Sequence, residues 1–280
     1  MKRLTPIAVV PIIFAALGTS AAPQAPAPAA NSAASSSAAP PQKLSLKQAE
    51  IRAQVLMAQK DYAAALGVYQ QILQQDPRNA KALNQMGIAY QHLGGLDTAA
   101  HYYKKAMHAD RKFSSPINNL GTVEFEKKNY DSAINYYKKA LVVAGSTPSL
   151  DLSVSTLYMN LGCAYFANEQ YPMAMDSFSL ALSLDPHAFE AGGEGGSSLE
   201  ERSTRDPGLF YFLIAKTYAK KGDAERAAHY LKVSRDDGYE KFRSAATDPD
   251  FSAVINDPRV QDVLQQSPSY APEPKKSSSL

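Results

Sequence analysis

Small residues recur through the middle of the chain at a fixed interval. Ala65, Ala99 and Ala133 stand 34 residues apart, Ala174 follows after 41 and Ala227 after 53. Gly87 and Gly121 are also 34 apart, and Gly162 follows after the same 41. A period of this size marks an array of supersecondary units, and the two excess lengths place inserts at 148–154 and 189–207. Within one unit, Leu83, Met86 and Tyr90 recur at helical spacing, Gly94-Gly95 breaks the chain, and Ala99, Tyr103, Ala106 and Met107 take up helical spacing again. The pattern predicts one helix hairpin per unit over 46–79, 80–113, 114–147, 155–188 and 208–239. Pro116 and Pro172 fall in first helical turns, where proline is tolerated. A mid-helix glycine costs about 1 kcal/mol relative to alanine, so packing must compensate. In this register Gly87, Gly121 and Gly162 face Ala99, Ala133 and Ala174, small against small. That predicts helix axes at the short end of the usual range of about 8–10 Å.

After the fifth unit, Asp248-Pro249 and Asp257-Pro258 each read as an N-cap followed by proline at the first helical position. Phe251, Val254, Ile255, Val260, Val263 and Leu264 supply apolar faces. Residues 240–266 are therefore expected to form a helical cap over the last repeat, whose core would otherwise lie open.

The flanks carry a different pattern. Lys2 and Arg3 precede an uncharged apolar stretch, Leu4 to Leu17, and small residues follow through Ala22, the layout of an export signal cleaved after Ala21. An uncleaved inner-membrane anchor is the alternative, although Pro6, Pro11 and the short length disfavour a span. The absence of cysteine near the cleavage site disfavours a lipoprotein. Residues 22–43, dominated by Pro, Ala and Ser, read as a flexible linker, 267–280 as a disordered tail, and Gly192–Ser198 as a mobile loop. The expected location is periplasmic or extracellular, with no integral span in the mature chain.

Charge and chemistry change the picture little. The chain has 29 basic and 27 acidic residues, a balance that does not point to nucleic acid or membrane. The distribution is uneven: residues 43–147 hold 14 basic and 8 acidic side chains, residues 148–280 hold 13 and 19. Such asymmetry can make copies associate head to tail. The single cysteine, Cys163, rules out an internal disulfide, and no Lys, Arg or His lies within a turn of it to activate it. None of His92, His101, His108, His187 and His229 pairs at ligand spacing, and His101 and His108 lie about 10 Å apart along a helix. No nucleophile elbow, phosphate loop or zinc spacing is present, so neither an enzyme nor a cofactor is expected.

Asn84-Gln85-Met86-Gly87-Ile88-Ala89-Tyr90, Asn118-Asn119-Leu120-Gly121 and Met159-Asn160-Leu161-Gly162-Cys163-Ala164-Tyr165 resemble the first helix of the tetratricopeptide repeat (TPR). Ala99–Tyr103–Ala106, Ala133–Tyr137–Ala140 and Ala174–Phe178–Ala181 resemble its second helix, and Asp76-Pro77 and Asp185-Pro186 its closing residues. The resemblance implies an all-α, right-handed TPR solenoid of about five helix hairpins with a C-terminal helical cap. It also implies an exported bacterial member that holds a protein or peptide segment in a concave groove, in envelope assembly or trafficking. The groove candidates are Asn84, Gln85, Ile88, Asn118, Asn119, Thr122, Phe125, Met159, Asn160, Cys163 and Phe166. Gln85, Asn119 and Asn160 would form an amide ladder, one rung per repeat, able to pair with both N–H and C=O of an extended backbone. One subfamily grips a C-terminal carboxylate with cations from its first repeat. Glu50 and Gln54 stand at those positions and disfavour that partner. The alternative is a self-assembling structural protein, a homo-oligomer joined through its basic and acidic halves. Intact-mass analysis of the exported chain should find it starting near Ala22; recovery of Met1 on a cytoplasmic product would refute the export signal.

Overall fold

The computed structural model describes residues 45–146, 152–189 and 206–266. The expected export signal, linker and tail, and most of both inserts, lie outside the described residues. Ten helices pair into five antiparallel hairpins: α1 (Leu46–Ala58) with α2 (Tyr62–Gln75), α3 (Ala80–His92) with α4 (Leu96–Ala109), α5 (Ser115–Glu126) with α6 (Tyr130–Ser146), α7 (Val154–Ala167) with α8 (Tyr171–Leu184), and α9 (Pro207–Lys220) with α10 (Ala224–Asp236). No strand occurs among the described residues. The first helices of neighbouring hairpins also meet, α3 touching α5 and α5 touching α7, so these helices line the inner side of the array.

Every hairpin turns in the same way. The middle residue of each three-residue turn is left-handed: Lys60, Gly94, Lys128, Glu169 and Gly222, with φ between 60° and 78°. The next residue donates its N–H back across the helix end, as in Asp61 to the Leu56 carbonyl (2.9 Å) and Asn129 to the Glu124 carbonyl (2.8 Å). This is the Schellman closure, which satisfies the last carbonyls of the first helix. The glycine pair predicts it at one turn only. Lys60, Lys128 and Glu169 accept a conformation that costs an L-residue about 1–2 kcal/mol, because the closure and the hairpin packing outweigh it. Between hairpins, Asp76, Asp110 and Asp185 each accept the backbone N–H two residues on, at 2.9–3.2 Å, local turns of the Asx type.

The mid-helix glycines are explained by a different contact from the one the sequence register suggests. A Cβ built on Gly87 would lie 2.4 Å from the Tyr103 ring, on Gly121 2.7 Å from Tyr137, and on Gly162 2.4 Å from Phe178. The nearest atoms are aromatic, not the alanines one turn earlier. The ring of the second helix lies against the bare backbone of the first, and each of the three rings is at most 2% exposed. In the fifth hairpin the corresponding positions hold Ala215 and Leu231, both fully buried: a methyl is added where the ring is lost.

The last hairpin is covered by a 3-10 segment (Glu240–Ala246), a single 3-10 turn (Pro249–Phe251) and α11 (Pro258–Gln265). Asp248-Pro249 opens only that one turn, and the chain then runs through turns to Asp257, which caps the next helix by accepting the Arg259 N–H. Phe242, Phe251, Val254, Val260 and Val263 join the core of the fourth and fifth hairpins, and Phe251 packs on Phe212 with ring centroids 5.9 Å apart. Lys216 of α9 bridges Asp248 (2.8 Å) and Asp250 (3.2 Å). Arg235, 2% exposed, pairs with Asp236 at 2.8 Å and donates to the Gln266 side chain at 3.1 Å. Arg243 donates to the Leu264 and Gln266 carbonyls at the end of α11, the favoured place for a cation.

Two outcomes are expected. Gly121→Ala should destabilise the fold by about 1–3 kcal/mol, because the Tyr137 ring must move. Gly67→Ala, in α2 with nothing within 4 Å of the added methyl, should stabilise it by up to about 1 kcal/mol. Thermal melts followed by circular dichroism read both signs, and equal shifts would show that ring contact is not what requires the glycine. Alkali should unfold the chain as well. Burial, and then the charge of Glu50, push the Tyr69 phenol up to about 12. Burial, with Glu126 nearby, pushes Tyr103 far above its ordinary value. An unfolded phenol ionises near pH ~10, so this stability is complete below about pH 10 and declines as pH rises toward about 12. Denaturant midpoints across that window check it, and Tyr103→Phe should flatten the decline.

Candidate partner-binding groove

The inner side of the first three hairpins encloses a cavity of about 490 Å3. Its wall from the first hairpin includes Glu50, Gln54 and Tyr69; α3 and its cap bring Asn79, Lys81, Asn84, Gln85 and Ile88; Phe113, Ser115 and Asn119 close the third side. Leu152, from the segment before α7, also reaches it. The helix register puts these groups together, since residues three and four apart on α3 share a face. Asn79 caps α3 by accepting the Ala82 N–H at 2.9 Å, which fixes where the helix and its inner face begin.

The expected site residues separate into two sets. Asn84, Gln85, Ile88 and Asn119 line this one cavity. The unit-four candidates do not. Met159, Asn160, Cys163 and Phe166 are 4–7% exposed, and Phe166 lies edge-on to Phe210 at 5.2 Å and against Tyr171 at 5.6 Å. Helix α9 and the aromatic core of the last two hairpins cover the surface that the register alone leaves open. Met159 lines a separate cavity of about 320 Å3 with Val154, Leu184 and Ala188. In unit three, Phe125 packs on Tyr130 at 5.4 Å. Thr122 donates to the Asn118 carbonyl at 3.4 Å and accepts from the Tyr137 hydroxyl at 3.3 Å.

The amide ladder also differs from the expected one. Asn160 donates to Asn118 at 2.8 Å, Asn118 to Asn119 at 3.3 Å, and Asn119 to Asn84 at 3.0 Å. Asn84, Asn118 and Asn160 are 4–6% exposed. These amides spend much of their hydrogen-bonding capacity on one another, as buried polar groups must. Removing Asn160 would therefore strand a buried Asn118 acceptor rather than simply clear a surface. Gln85 makes no side-chain hydrogen bond among the described residues, which leaves its donor and acceptor available at the cavity wall. A second polar run, from the Tyr103 hydroxyl to Gln91 (2.7 Å) and from Gln91 to Glu126, ties α4 to α3 and α3 to α5.

Sequence reasoning missed Tyr69, Ile72, Asn79, Phe113 and Leu152 as lining residues. Tyr69 and Ile72 face inward as core positions of α2, and core periodicity hides the edge that reaches the cavity. Phe113 and Leu152 sit in connections, where no period applies. Among the described residues no group of three or more His, Cys, Asp or Glu side chains is placed to hold a metal, and no helix is long and apolar enough to cross a membrane.

Comparison with known proteins places this geometry. The chain is similar in fold to PilF of Pseudomonas aeruginosa, at 17% identity over 78% of this chain and 95% of that one, with a TM-score of 0.52. Two further solved structures are similar: MamA of Desulfovibrio magneticus RS-1 (18% identity, 71% and 97% coverage, TM-score 0.46) and YrrB, described as a TPR protein with an unusual peptide-binding site (18%, 70% and 88%, TM-score 0.44). No curated protein matches the chain. Two sequence models of the tetratricopeptide repeat match residues 56–122 and 114–186, across the hairpins that form the cavity. With the helix pairs, the repeat period and the two sequence models in agreement, residues 56–186 are tetratricopeptide repeats.

Proposed function

We propose that this protein is a non-catalytic interaction scaffold that binds an extended protein segment along its inner groove, centred on the cavity of the first three hairpins. The observation that carries the reading is the composition of that cavity wall. Gln85 offers an amide with both donor and acceptor, Lys81 is an exposed cation, and Ile88 and Phe113 supply apolar surface beside them. An amide can pair with backbone N–H and C=O together, and apolar neighbours supply side-chain contact with little demand on sequence. Asn119 presents its remaining capacity next to Gln85, held in place by Asn84 and Asn118. The fourth hairpin adds little to this contact surface, since its inner candidates are buried. The export-type N-terminus supports a role outside the cytoplasm, in assembly or trafficking of envelope components.

A photo-crosslinking side chain at position 85 should capture a partner segment from another protein, and one at Lys104 on the outer face should not capture that segment. Titrating that segment against Lys81→Ala/Gln85→Ala should show weaker binding with unchanged melting. Each lost hydrogen bond is worth about 0.5–1.5 kcal/mol, so the pair should cost roughly 5- to 150-fold in affinity. Capture only from position 104, or full affinity in the double variant, would move the site off the groove.

A further inference from the structure

The outer side of the array carries a second concavity that the groove does not use. Between α2 and α4 lies a cleft of about 610 Å3 with Leu73, Leu83, Met86 and Tyr102 among its apolar lining and Arg78 and Lys105 at its rim. No acidic side chain lines it. Lys105 stands over the Tyr102 ring, 5.5 Å from its centroid. Asp76 accepts the Arg78 backbone N–H at 3.2 Å but is not part of the lining. Neither cation forms an ion pair among the described residues.

Helix α8 exposes the complementary chemistry. Met173, Leu180 and Leu184 are 52%, 47% and 57% exposed, and their spacing of seven and four puts them on one stripe. Asp176, exposed on the same stripe, is the only charged residue of the helix. Such a row of exposed large apolar side chains marks an interaction surface more often than isolated ones do. Within one chain α8 packs on α7 and α9, and the third hairpin separates it from the cleft, so one copy does not bring the two surfaces together.

We infer that a second copy of this chain supplies the occupant: the Met173–Leu184 stripe of one copy seats in the α2/α4 cleft of the next, with Asp176 facing Arg78 and Lys105. Charge complementarity selects this occupant. The cleft lies in the segment with 14 basic and 8 acidic residues, and the stripe in the segment with 13 and 19. The contact is heterologous, leaving each copy in a pair with one unused cleft or stripe, so association continues into rings or open chains. One helix stripe in one cleft belongs to the small, transient class of interfaces, below about 1,200 Å2. Opposite charges at the rim set its rate and its salt dependence.

The full chain in sedimentation velocity should show species larger than a dimer as concentration rises, shrinking as salt goes from about 50 to about 500 mM. Arg78→Glu/Lys105→Glu and Leu180→Asp/Leu184→Asp alter exposed side chains, so helix content should hold, and each variant alone should associate at least roughly tenfold more weakly. Mixed in equal amounts, the two variants hold one intact cleft and one intact stripe and should form a 1:1 dimer that grows no further. A wild-type chain that stays monomeric at high concentration overturns the inference, and so does association insensitive to either variant or a mixture that fails to pair. Lys81→Ala/Gln85→Ala should leave self-association unchanged, which keeps this test separate from that of the groove.

Discussion

The seating of an aromatic ring on a bare helix backbone sets the dimensions of this array. In the second, third and fourth hairpins the ring of Tyr103, Tyr137 or Phe178 occupies the space that a Cβ at Gly87, Gly121 or Gly162 would need. The glycine lets the ring come within contact of the facing helix, and the ring then fills the volume that a small residue would leave empty. The fifth hairpin keeps the volume with the opposite choice, alanine against leucine. In the first hairpin Ala53 and Tyr69 hold these positions, and Tyr69 lines the groove cavity instead. The contact between the paired helices thus varies along the array: a ring on glycine in its three middle hairpins, and alanine against tyrosine or leucine at its two ends.

The same packing decides which polar groups remain for a partner. Bringing α3, α5 and α7 into contact puts their asparagines within hydrogen-bonding distance of one another, and the run Asn160–Asn118–Asn119–Asn84 crosses three hairpins. A satisfied buried network of this kind fixes the relative register of the helices. It also removes most of these amides from recognition. Gln85, Lys81 and Ile88 stand at the open edge of the network, which is why the groove reading rests on them.

The two ends of the array are finished differently. At the C-terminal end Phe242, Phe251, Val260 and Val263 close the core, and Lys216 and Arg235 tie the covering segments to the last hairpin. At the other end Ile51 and Val55 of α1 remain about half exposed. A stack whose repeats contact only their neighbours needs terminal units with a polar outer face or a cover, and among the described residues only one end has a cover.

The repeat period, the helical class, the hairpin form and a C-terminal cap were legible in the sequence because each follows from local rules: spacing of apolar residues, glycine breaks and proline at first turns. That Asn84, Gln85, Ile88 and Asn119 lie on inner helix faces was legible for the same reason, since helical register assigns faces within a single hairpin. The partner of each glycine was not, because the choice between an alanine and a ring one turn further depends on how two helices approach. The left-handed turns at Lys60, Lys128 and Glu169 were hidden, since closure by the helix ends outweighs the residue's own preference. Burial of Met159, Asn160, Cys163 and Phe166 was hidden too, because their cover comes from elements distant in sequence, with Phe210 of α9 lying 44 residues beyond Phe166. Sequence by itself determined which face each side chain takes on its own helix; only the stacking of hairpins decided whether that face is open, because exposure is set by the neighbours that arrive there.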